Sequence, residues 1–137
     1  MQPAKVVIRY ADGRIIKGHT HDFLPTKPSF LVRPIDIGTS LDPVEVLIRD
    51  LKAVFFVRDF VGDPNHIYRK DFMDFSDGVN APGILLQVTF KDGEVIVGST
   101  LSYDPQRPGF FILPADSNGN NRGIFVVSHS VIQVIYV

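Results

Sequence analysis

Residues 6–20 read VVIRYADGRIIKGHT, and residues 86–100, eighty positions later, read LQVTFKDGEVIVGST. In the first stretch Val6, Ile8 and Tyr10 alternate with Val7 and Arg9; in the second Leu86, Val88 and Phe90 alternate with Gln87 and Thr89. Period-two alternation is the mark of a half-buried β-strand, because successive side chains point to opposite faces. Asp12-Gly13 and Asp92-Gly93 follow at once, and Asp-Gly between strand-like runs signals a tight hairpin, since glycine accepts positive φ. Gly18 and Gly98 then interrupt the returning strands, where a missing side chain permits a bulge or sharp bend.

Working outward, the same offset lays residues 6–57 onto residues 86–137 without a gap. Pro25, Pro28, Phe30, Pro34 and Asp36 fall on Pro105, Pro108, Phe110, Pro114 and Asp116, and Val54, Phe56 and Val57 on Val134, Tyr136 and Val137. Turn glycines, rigid prolines and apolar positions recur together, so the chain reads as one module written twice. Within each copy the hairpin is followed by a Pro-x-x-Pro loop, expected to run extended. Three further strands begin near Phe30, Val44 and Val54 in copy one, and near Phe110, Ile124 and Val134 in copy two. Five short strands per copy define an all-β fold of two tandem five-stranded small barrels, residues 1–57 and 86–137. The connector, residues 58–85, carries Ile67, Phe72 and Phe75 at helical spacing after Pro64, which predicts one short helix.

Composition narrows the function classes. The chain has 137 residues, 45 % hydrophobic, with no cysteine and a formal net charge of −1. Disulfides, thiolate metal sites and a cysteine nucleophile are excluded. No basic excess marks a general nucleic-acid binder. Met1 leads into a strand-like run without a basic-then-apolar leader, and no apolar stretch approaches the ~20 residues of a membrane span, so the cytoplasm is the expected compartment and no membrane association is expected.

At this point the residues resemble the Sm-like small barrels. The first motif of that family is matched by Asp12-Gly13, Gly18 and Phe23 in copy one and by Asp92-Gly93, Gly98 and Tyr103-Asp104 in copy two. The second is approached by Val46-Leu47-Ile48-Arg49-Asp50 ahead of Ala53–Val57. The resemblance implies two Sm-like, SH3-like barrels, edge-to-edge assembly through the fourth and fifth strands, and RNA binding around Phe23, Arg49, Tyr103 and Asp104. It also has departures. Pro28 and Pro108 lie near the place of the family's pocket asparagine, Asp50 replaces the glycine after Arg49, and copy two reads Ser128-His129-Ser130. An acid beside Arg49 competes for its guanidinium.

Other chemistry leaves little trace. His19 and His21 stand two apart on a strand without a third ligand, His66 and His129 are isolated, and the aspartates fall where turns favour them. No phosphate loop, nucleophile elbow or triad pattern occurs, so neither an enzyme nor a cofactor is expected. The copies differ instructively: Lys17, His21, Arg33, Glu45 and Lys52 become Val97, Leu101, Leu113, Phe125 and Ile132. Five apolar gains on one module, each costly to leave in water, mark these residues as an expected protein interface, covered by copy one, by the connector's Ile67, Tyr68, Phe72 and Phe75, or by another chain. The expected function is therefore a non-catalytic binding or assembly module, acting through a protein partner or its own copies, with RNA binding as the alternative.

Overall fold

The computed structural model describes residues 3–35, 42–60, 83–114 and 120–136, and these carry ten β-strands and no α-helix. The strands are β1 (Ala4–Tyr10), β2 (Ile15–Thr20), β3 (Ser29–Pro34), β4 (Val44–Leu47), β5 (Leu51–Val57), β6 (Ile84–Phe90), β7 (Val95–Thr100), β8 (Gly109–Pro114), β9 (Asn121–Val127) and β10 (Val131–Tyr136). Single 3-10 turns, Ile48–Asp50 and Ser128–Ser130, join β4 to β5 and β9 to β10. The all-β expectation holds. The helix expected between Pro64 and Phe75 lies outside the described residues.

Antiparallel ladders join all ten strands into one open sheet of order β10-β6-β7-β8-β9-β5-β1-β2-β3-β4. Two separately closed barrels were expected, and among the described residues no ladder closes either copy on itself. The reason lies in β5 and β9, which satisfy each other's backbone groups across the middle of the sheet. Each copy keeps one strand order, fifth-first-second-third-fourth, and the fourth strand of copy two lies beside the fifth of copy one.

Local bonds show why these residues turn where they do. Gly13 and Gly93 take φ of 98° and 95°. The Gly13 and Gly93 N–H groups donate to the carbonyls of Tyr10 (3.1 Å) and Phe90 (2.9 Å). Asp12 and Asp92 each accept the N–H two residues on, at 3.0 Å. The Pro-x-x-Pro loop is a turn rather than an extended run: the Lys27 N–H donates to Leu24 O and the Arg107 N–H to Asp104 O, both at 3.1 Å. Pro25 and Pro105 stand second in these turns, where their fixed φ favours reversal.

The bends at Gly18 and Gly98 bring backbones together. A Cβ at Gly18 would overlap the Arg33 carbonyl, and one at Gly98 the Leu113 carbonyl and the Ile112 side chain. Thus β2 and β7 each serve two neighbours.

Two hydrophobic cores result, and they exchange residues. Val6, Ile8, Tyr10, Phe30, Val32, Val46 and Val54 form one, joined by Phe125 and Val127 from β9. Leu86, Val88, Phe90, Phe110, Ile112, Ile124 and Val126 form the other, joined by Val7, Ala53, Phe55 and Val57 from β1 and β5. Because strand side chains alternate, β5 and β9 feed both cores at once. Each large aliphatic or aromatic side chain so buried contributes on the order of 1.5–3 kcal/mol, so the junction between the copies is part of the folding core.

Candidate functional site

Among the described residues the order of the sheet leaves two terminal strands, β10 and β4, each with one edge unpaired. An uncovered edge presents a row of N–H and C=O groups to any strand that meets it. β10 reads VIQVIY and carries no charge. Ile132 is 63 % exposed and Tyr136 56 %, with Ile135 also in water. β4 reads VEVL and carries Glu45 on its exposed side, where the Ser29 hydroxyl donates to Glu45 Oε2 at 3.3 Å. Neither terminal strand has a proline in its own span, and β10 has no lysine to discourage pairing.

The internal junction shows what such edges do when they meet. Ala53 pairs with Val126, Val54 with Phe125, Phe55 with Ile124 and Phe56 with Gly123. Phe125 is 1 % exposed. Its ring lies 5.2 Å from Phe23 and 5.1 Å from Phe111, both edge-on, and Phe23 meets Phe30 at 4.9 Å and Phe56 at 5.4 Å. Edge-to-face rings at these separations are favourable beyond their burial alone.

The free end beyond β10 carries a similar platform. Tyr103 meets Phe110 at 4.8 Å and Tyr136 at 6.0 Å, again edge-on. These are the residues eighty positions after Phe23, Phe30 and Phe56. Burial raises the Tyr103 pKa, and the neighbouring Tyr136 and Asp104 raise it further, so its phenol stays a hydrogen-bond donor at neutral pH.

The five expected interface residues divide. Phe125 and Val97 are covered by the chain itself and are unavailable to a partner. Val97 is covered by its own first copy, one of the covers expected for it, and lines a cavity of about 340 Å³ with Val7, Lys17, Phe55 and Phe60. Leu101 is 81 % exposed and shares a hollow with Leu113 and Phe111, while Ile132 stands out from β10.

The four residues of the RNA expectation are not gathered into one site. Phe23 and Tyr103 belong to separate aromatic platforms, and Asp104 holds Arg107 at 3.9 Å. Arg49 lines a groove of about 660 Å³ between the two proline turns, with Lys27, Arg107 and His129. Lys27 is paired with Asp22 at 3.6 Å. Among the histidines, His19 lies edge-on to Phe60 at 5.2 Å, whereas His21 sits past the end of β2 beside Phe23 and Phe56. No group of three metal-binding side chains forms among the described residues.

Sequence reasoning missed the polar pins of the junction. Lys52, on β5, is 7 % exposed and donates to Asp92 at 2.7 Å and to Glu94, both on the hairpin of copy two. Its ammonium also stands 4.7 Å from the Phe90 ring centre. The Ser130 hydroxyl donates to Leu51 O at 3.1 Å. Asn120 and Asp59 exchange two bonds of 3.0 and 2.8 Å. The signal lay in the offset: Glu94 falls on Arg14 and Lys52 on Ile132, so only one pairing of hairpin and strand has complementary charge.

An all-β architecture defines the molecule's class, and comparison with known proteins places it. Residues 2–137 match the model of a family of unknown function, DUF6982, and the chain belongs to that family. It is also 29 % identical over 129 residues to the extracellular serine/threonine protein kinase CeFam20 of Caenorhabditis elegans. That match covers 78 % of this chain and 25 % of the kinase, so the chain spans about a quarter of that protein's length. No solved structure matches. No helix among the described residues is long and apolar enough to cross a membrane.

Proposed function

We propose that this protein is a non-catalytic assembly module whose copies join edge to edge, β10 of one against β4 of the next, each five-stranded block acting as an Sm-like unit. The single observation that carries this is the β5–β9 junction: the molecule already holds one instance of the contact its two free edges would make. Moving that register by eighty residues sets Gln133 opposite Val46, Val134 opposite Glu45 and Ile135 opposite Val44. The uncharged β10 edge and its exposed Ile132 and Ile135 are what such a contact covers.

RNA binding is the second reading, favoured by the groove that collects Arg49, Lys27, Arg107 and His129. Light scattering on a sizing column separates the two. Assembly predicts a mass that is a multiple of 15.3 kDa, little changed by salt and reduced to one chain by Ile135→Lys. A wild-type chain that stays at 15.3 kDa at high micromolar concentration overturns it. A salt-sensitive shift with uridine-rich RNA, abolished by Arg49→Ala, supports the second reading.

A further inference from the structure

The two ends of the sheet are matched to each other in a way the internal junction is not. Inside the chain Phe125, with Phe111 beside it, rests on the platform of Phe23 and Phe56. At the free ends, eighty residues away in each direction, every member except the platform's floor has changed. Phe125 corresponds to Glu45 and Phe111 to Leu31 on the β4 side; Phe23 and Phe56 correspond to Tyr103 and Tyr136 on the β10 side. Phe30 remains aromatic as Phe110, and the ring geometry persists. An apolar knob on phenylalanines has thus become a carboxylate facing phenols. The two exchanges compensate: a buried carboxylate needs donors, and the two hydroxyls are the donors that phenylalanine lacks.

We propose that Glu45 is the recognition residue of the outer junction, its carboxylate accepting hydrogen bonds from the hydroxyls of Tyr103 and Tyr136 of the next copy. This rests on the edge-to-edge assembly and names its specificity. A second correspondence agrees with it. Where Lys52 meets the acidic hairpin of copy two, Ile132 would meet Asp12 and Arg14, which already hold each other at 2.8 Å and offer no unpaired charge. The outer junction therefore differs from the inner one at each polar position, so a free edge accepts another chain's end and rejects the inner partner's chemistry.

The test is association of the full chain by analytical ultracentrifugation, with thermal unfolding to confirm that each variant folds. Glu45 and Tyr136 are exposed, and phenylalanine already occupies the counterpart of Tyr103 in copy one, so folding should survive. Glu45→Ala and the double change Tyr103→Phe with Tyr136→Phe should each weaken association by about tenfold or more, as expected for lost charge-assisted bonds. Adding Glu45→Phe to the double change rebuilds the inner junction's chemistry and should restore association. If the wild type assembles and these variants bind as tightly as it does, the role of Glu45 is overturned while assembly stands. If restoration by Glu45→Phe fails although both weakened variants fold, the pairing with the tyrosines is overturned. A wild type that is monomeric throughout overturns both.

Discussion

Lys52 and Ile132 occupy the same place in their copies, yet the lysine is nearly buried and the isoleucine stands in water. Surroundings decide this, since Lys52 closes onto Asp92 and Glu94 while β10 has no strand outside it among the described residues. The hydrogen bond from Lys52, with a second from the Glu94 N–H, holds the Asp92 carboxyl below the usual aspartate range. A depressed folded pKa stabilises the fold above the unfolded value of about 3.9 and loses that contribution as pH falls through the folded value. The melting temperature of wild type should therefore exceed that of Asp92→Asn from pH 7 down to about 5. The gap should close as pH drops below about 4, by thermal unfolding across the series. The effect is modest, at most about 1 kcal/mol, because the carboxylate is half exposed and screened. A gap that persists at pH 2 would remove the ion pair as its cause.

At the scale of the strand, alternation and Asp-Gly made most of the ladder legible. Val6, Ile8 and Tyr10 do face one core and Val7 the other, and both hairpins turn at the glycines. The sequence pattern did not show that Pro25 and Pro105 sit inside reverse turns, because proline's φ suits an extended run and a turn equally. Nor did it show where β5 and β9 would find partners: an edge reads the same whether it closes on its own copy or pairs with another. The bends were legible as missing side chains, and the structure gives them a cost. Alanine at Gly98 would drive its methyl into the Leu113 carbonyl and Ile112. Gly98→Ala should lose about 1–3 kcal/mol by urea unfolding, as overpacking does. Alanine at Gly123, which meets nothing within 4 Å, should lose far less.

For the whole molecule, the direction of assembly is the decisive property. A β10–β4 contact joins unlike surfaces and leaves each added copy with the same two free ends, so it closes into a ring or grows as a filament. A β10–β10 contact is self-complementary and stops at two. Single-edge variants tell them apart. Val44 and Ile135 face each other in the derived register, so Val44→Lys disables the β4 end and Ile135→Lys the β10 end, each leaving the other end intact. Alone, each variant should run as one chain of 15.3 kDa. Mixed in equal amounts, they should form a one-to-one dimer and nothing larger, because only the unaltered β10 of one and the unaltered β4 of the other remain to meet. Should Val44→Lys dimerise without its counterpart, the contact is β10 with β10. Should the mixture stay at one chain, the free edges do not meet at all, and the resemblance between inner junction and outer ends carries no assembly.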